Sequence, residues 1–130
     1  MNILGFDPGK DKCGLAVVDK NQQVLFHQVI VSEKALQVIQ SLSKRFSVQL
    51  LVMGNQTTSK AWKAKIESCI SFPIVLVDER NSSLEARDRY WEMYPPQGLQ
   101  KLIPQGMRLP PRPVDDIVAI LLVERYLQSY

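Results

Sequence analysis

At 130 residues the chain has the length of one domain, and 45% hydrophobic with 22% charged residues is the make-up of a water-soluble globular fold. That composition excludes a disordered chain, a collagen-like repeat and a long coiled coil, and no run approaches the roughly 18 consecutive apolar residues of a membrane span. Sixteen basic against thirteen acidic residues leave a net charge of +3, which permits a nucleic-acid partner without requiring one.

The N-terminus shows no basic stretch followed by a long apolar one, so no secretory leader is expected. Cys13 and Cys69 cannot build a disulfide framework and read as reduced thiols of a cytoplasmic protein. A lone histidine, His27, excludes His-rich metal sites and most His-based triads. Acid–base or metal chemistry here must run on carboxylates.

The chain begins with apolar residues 2–7 closed by Asp7-Pro8-Gly9. A second apolar run, 13–18, follows, then a turn signal at Asp19-Lys20-Asn21 and an alternating stretch over 22–31. These three runs predict an antiparallel meander. Ser32 is placed to cap a helix carrying Leu36, Ile39, Leu42 and Phe46 on one stripe. Residues 48–53 are continuously apolar, as in a strand covered on both faces.

Thr57 or Thr58 opens a second helix with Trp62, Ile66, Cys69 and Ile70 on its inner stripe. That stripe makes Trp62 a core residue rather than a base-stacking platform. Another buried strand spans 73–77, and Ser82-x-x-Glu85 reads as a capping box for a third helix ending near Met93. A last helix runs from about Val114 to Leu127, with the apolar run Ile117–Val123 inside it. Between the last two helices, residues 94–113 hold six of the eight prolines, Lys101, Arg108 and Arg112, and no acid. A loop of that length is usually functional or mobile. The expected architecture is one α/β domain over residues 1–130. Its mixed five-stranded sheet, a three-strand antiparallel meander plus two parallel strands, is flanked by helices on both faces.

Three acidic sites stand out. Asp7 ends the first strand beside a Gly-rich hairpin, although Asp-Pro-Gly is equally a plain turn. Asp78-Glu79-Arg80 follows the fifth strand, and ligands of open α/β sheets bind beyond the carboxyl ends of strands. If strands one and five end on the same side, Asp7 and Glu79 converge there. Asp115-Asp116 opens the last helix, where acids also complement the macrodipole. Adjacent helical positions point about 100° apart, so only one of the two can face a given site, and an all-round apolar helix does not say which.

Carboxylates from three elements suit Mg²⁺ or Mn²⁺. Such ions can activate water and stabilise the leaving oxygen in phosphodiester hydrolysis, with no histidine or serine nucleophile required. Lys10 and Lys12 flank Asp7. Lys60, Lys63 and Lys65 lie in a stretch without acids, and Arg80, Lys101, Arg108 and Arg112 follow. Together they are candidates for phosphate contacts, though any one lysine alone reads as a solubilising surface residue.

The chain resembles the YqgF-type nucleases, a Holliday junction resolvase family with an RNase H-like fold. The resemblance rests on Ile3-Leu4-Gly5-Phe6-Asp7-Pro8-Gly9 with Gly14, and on Val52-Met53-Gly54. It continues in Val77-Asp78-Glu79-Arg80 with Ser83-Leu84-Glu85-Ala86-Arg87, and in Val114-Asp115 with Ala119 and Tyr126-Leu127. The Asp-Pro-Gly start is similar also to the RuvC resolvases, which share the fold. The resemblance implies a Mg²⁺ or Mn²⁺ site made by Asp7, Glu79 and Asp115, and it selects Asp115 over Asp116. It implies branched DNA or structured RNA as substrate, including precursor ribosomal RNA.

After Gly54 the sequence departs from the family pattern: Asn55-Gln56 stands where Leu-Pro is usual. The expected function is therefore a metal-dependent endonuclease, as a monomer or a homodimer. The alternative is a nucleic-acid-binding or regulatory protein that keeps the fold without catalysis. ATP-dependent sugar kinases share the fold too, but require a second, duplicated domain.

Overall fold

The computed structural model describes residues 1–55 and 58–129. Nine principal elements follow in the order β1 (Asn2–Asp7), β2 (Lys12–Asp19), β3 (Val24–Val31), α1 (Ala35–Arg45), β4 (Val48–Gly54), α2 (Ser59–Glu67), β5 (Ile74–Val77), α3 (Ser82–Met93) and α4 (Asp115–Gln128). The five strands form one sheet in the order β3-β2-β1-β4-β5. The first three pair antiparallel, and β4 and β5 extend the sheet parallel to β1. The mixed sheet expected from the sequence is the one observed.

Alternation along β1 sorts its side chains between two cores. Leu4 and Phe6 face α1 and α2 with Leu15, Val17, Ile39, Leu51, Met53 and Ile66. Ile3 faces α3 and α4 with Ala16, Val18, Val52, Tyr90 and the whole run Ile117–Val123. An amphipathic helix buries one stripe, whereas α4 is buried all round over Asp116–Val123, where the sheet and α3 enclose it. A bidentate pair, Arg89 Nη1 and Nη2 donating to Glu124 Oε1 and Oε2 at 2.9 Å each, fixes α3 against α4.

Two glycines let α4 lie this close. A β-carbon at Gly5 would overlap the Ala119 carbonyl, and one at Gly14 would overlap the Asp115 carbonyl. Isolated glycines inside strands commonly mark such an approach.

Two capping expectations are not met, and a third is tested only in part. Ser32 does not cap α1, which starts at Ala35 after a 3-10 turn over Ser32–Lys34. Its hydroxyl instead donates to the Gly9 carbonyl at 2.8 Å and its amide to the Asp11 carbonyl at 2.9 Å, so it braces the hairpin after Asp7. The Ser82/Glu85 capping box does not form: Asn81, left-handed at φ 62°, precedes α3, and the Glu85 carboxylate pairs with Arg125. Thr58 precedes α2 without a side-chain cap, and Thr57 lies outside the described residues.

The segment between α3 and α4 holds two short 3-10 turns, Gly98–Leu102 and Gln105–Met107, rather than none. It is held by its arginines. The Arg108 guanidinium lies 5.4 Å from the Trp91 ring centre, and that of Arg112 lies 5.4 and 5.7 Å from those of Tyr90 and Tyr94.

Candidate carboxylate site

Asp7 ends β1 on the face that α4 covers, and its neighbour across the ladder is Gly14. Because Gly14 has no side chain, the first turn of α4 settles over it and brings Asp115 against Asp7, where the two carboxyl groups share a hydrogen bond. Glu79 follows β5, two strands from β1. A β-carbon at Gly54 would overlap the Glu79 carboxylate, so Glu79 leans across the end of β4 toward Asp7. All three elements deliver their acids to the same end of the sheet.

The electrostatics record this convergence. Asp7 is only 8% exposed. Burial first, then the negative charges of Asp115 and Glu79, push its pKa from 3.8 to about 8. Burial also raises Asp115, helped by the adjacent Asp116 and opposed by the hydrogen bond to Asp7 and by Lys12. Glu79 is raised by burial and by Asp78, against the pull of Arg125. A buried carboxyl in contact with a second and in the field of a third keeps a proton unless a cation replaces it.

Among the described residues no group of three or more His, Cys, Asp or Glu stands close enough together to hold a metal ion as it is. In chemistry, though not yet in spacing, the donor set of Asp7, Asp115 and Glu79 is one that suits a hard divalent cation. It offers only carboxylate oxygens, two of them groups in mutual contact, and a protein shell of this kind leaves positions for water and phosphate.

Asp116, the other candidate of the pair, turns away. It is 2% exposed and accepts from His27 Nδ1 at 2.6 Å, from Arg112 Nη1 at 3.0 Å and from the Ile117 amide at 3.0 Å. Asp115 is thus the aspartate that meets Asp7, and Asp116 ties β3 and the proline-rich segment to the start of α4.

The basic candidates are spread widely. Lys12 is exposed and close enough to act on Asp115. Lys10 is exposed in the β1–β2 hairpin, Lys60 in the first turn of α2, and Lys101 in the turn over Gly98–Leu102. Arg80 has an 86% exposed side chain paired with Asp78 at 3.0 Å. Arg108 donates Nε to the Ile103 carbonyl at 2.7 Å, and Arg112 is engaged by Asp116. These two arginines thus also hold their own segment.

Sequence reasoning missed Arg125. Its Nη1 donates to the Asp78 carbonyl and its Nη2 to the Arg80 carbonyl, both at 2.7 Å, bracketing Glu79. A third bond reaches Glu85 Oε2 at 2.9 Å. A single arginine in the last turn of an apolar helix reads as a dipole complement, and only the fold brings it to the β5–α3 loop. Arg125→Gln loses the charged fork and frees the loop. The expected result is a loss of about 1–3 kcal/mol of stability, with Arg125→Lys in between. A urea melt that leaves the glutamine variant unchanged would show that the loop carrying Glu79 needs no such support.

A family model for the Holliday junction resolvase RuvX matches residues 1–129. No curated protein matches the sequence. Among solved structures, Thermus thermophilus RuvC aligns with a TM-score of 0.64 at 13% identity, over 99% of this chain and 93% of that one. That likeness shows the RNase H-like fold. A ROK hexokinase from Thermus thermophilus aligns over 72% of this chain and 38% of its own, at 15% identity and a TM-score of 0.46. A ROK family glucokinase from Streptomyces griseus, in complex with glucose and AMPPNP, aligns over 69% and 37%, at 17% identity and 0.47. The chain spans less than two thirds of either kinase, and likenesses so slight bear no functional argument. The match over nearly the full sequence places the chain in the RuvX family of Holliday junction resolvases.

Proposed function

We propose that the chain is a divalent-metal-dependent endonuclease that hydrolyses phosphodiester bonds in structured nucleic acid, either branched DNA or precursor ribosomal RNA. The observation that carries this reading is the buried Asp7 carboxyl held against Asp115 with Glu79 acting on it through charge. Family membership supports the nuclease class. Asp7, Glu79 and Asp115 would hold Mg²⁺ or Mn²⁺, which when bound supplies an activated water and charge stabilisation at the leaving oxygen.

The chain's own residues do the rest. Asp7 and Asp115 give up their shared proton at neutral pH when a cation takes its place. Glu79, less buried than Asp7, would either complete the cation's shell or orient the attacking water. Lys10, Lys12, Lys60, Arg80 and Lys101 offer exposed charges to phosphates, while Arg108 and Arg112 shape the segment beside them. Symmetric cutting of a four-way junction needs two such sites, hence a homodimer, whereas RNA trimming needs one. Among the described residues no helix is long and apolar enough to cross a membrane. We propose a cytoplasmic location, in keeping with the free thiols of Cys13 and Cys69.

The test is a cleavage panel with Mn²⁺: a four-way DNA junction, a single-stranded RNA and a precursor ribosomal RNA, each with and without chelator. Chelator-sensitive cutting of any of these is expected. Binding with a steep salt dependence but no cutting of any of them would instead make the chain a non-catalytic binding module.

A further inference from the structure

Beside the carboxylates lies a hollow of about 400 Å³ between the edge strand β3 and the first turn of α4. Its lining includes Lys12, His27, Val29, Val31, Arg112 and Pro113. On the nuclease reading above, we propose that this hollow takes an unpaired nucleotide close to the scissile phosphate, and so selects substrates with a base free of its partner.

Position is the first argument. In the sheet register Asp7 pairs with Gly14, and Gly14 with Val29, so the three form one row across β1, β2 and β3. Two strand spacings of about 4.8 Å put the hollow on the order of 10 Å from Asp7. That is within reach of a strand whose phosphate sits at the carboxylates. Lys12 joins the two places, because it lines the hollow and acts on Asp115.

Chemistry is the second. Val29, Val31 and Pro113 offer apolar surface to the flat face of a base, and Lys12 offers an exposed ammonium to its phosphate. The volume falls in the range of small-ligand pockets, about 300–1,000 Å³. A base stacked in a duplex cannot enter, so the hollow favours junction centres, flaps and single strands.

Preorganisation is the third. Arg112 and His27 are both held by Asp116, at 3.0 and 2.6 Å, and Arg112 also lies over Tyr90 and Tyr94. These walls need no ordering when a ligand arrives.

Val31→Trp fills the hollow from an exposed position, and Leu25→Trp adds the same bulk on the same strand outside it. Fluorescence anisotropy of the full chain would be read with a labelled single-stranded oligodeoxynucleotide, the matching oligoribonucleotide and a blunt duplex. The expected result is a 10-fold or greater weakening of single-strand binding in Val31→Trp, in whichever of the DNA and RNA arms binds. Duplex binding and the Leu25→Trp protein should stay within 2-fold of the unmodified chain. Amide NMR of the unmodified chain with adenosine monophosphate gives a second readout, with shifts expected at residues His27 to Val31. Single-strand binding equal to that of the unmodified chain in a folded Val31→Trp, or nucleotide shifts confined elsewhere, overturns the pocket and leaves the nuclease reading standing. No binding of any nucleic acid by the unmodified chain overturns both.

Discussion

Asp7→Asn is expected to lower metal-dependent cleavage by about 10³-fold or more while making the metal-free protein more stable at pH 8. The first effect follows from removing the central charge of the site. Several kcal/mol of transition-state stabilisation by a bound cation corresponds to at least about 10³ in rate. The second follows from linkage. In the fold, Asp7 keeps its proton up to about pH 8, whereas the unfolded chain releases it near 3.8. The folded state therefore binds the extra proton between these values, and stability present below about pH 4 is lost as pH rises through 8.

The raised carboxyls of Asp115 and Glu79 act in the same direction. Asparagine carries no such proton and should flatten that decline. Thermal melts at pH 5 and pH 8, with chelator or with Mn²⁺, read both effects. The unmodified protein should gain more from Mn²⁺ at pH 8 than at pH 5, and the variant little at either. Full cleavage by Asp7→Asn would remove this residue from the chemistry.

Gly14→Ala is expected to damage the site without touching a carboxylate. Its new β-carbon would overlap the Asp115 carbonyl, a backbone atom that moves only if α4 moves. Overpacking of this kind costs about 1–3 kcal/mol. On a chain of this size that lowers the melting temperature by several degrees, roughly 3–5 °C per kcal/mol. The larger consequence is for Asp115, because about 1 Å of misplacement can cost on the order of 10²-fold in rate. Gly106→Ala is the control: a β-carbon there meets nothing within 4 Å. Calorimetry and cleavage on the two variants should therefore diverge sharply. Equal behaviour would mean that the close seat of α4 is dispensable.

Much of the architecture was legible because its signals are local. Alternation in β1, the turn at Asp19-Lys20-Asn21 and the unbroken apolar run in α4 each report on a single element, and the sheet follows from their order. The three candidate acids were legible for a related reason: each stands where an element ends or begins. What stayed hidden depends on pairs of elements. Ser32 and Glu85 carry capping signatures, but a carbonyl at Gly9 and a guanidinium at Arg125 compete for them, and neither partner is near in sequence. The all-round burial of α4 erased the periodicity that would have oriented Asp115 and Asp116. Arg108 and Arg112 looked like free charges until aromatic rings of α3 appeared beneath them. Gly5, Gly14 and Gly54 gave a signal, isolated glycines at strand positions, whose meaning is the distance to a partner the sequence does not name.

The adjacent aspartates make the angular setting of α4 self-checking. Rotating the helix by one residue would swing Asp116 toward Asp7 and strand His27 and Arg112 without their acid, while Asp115 turned from the Asp7 carboxyl. A single phase of the helix satisfies both neighbours at once. Lengthening or shortening the proline-rich segment should then be absorbed by bowing of that segment and not by a twist of the helix.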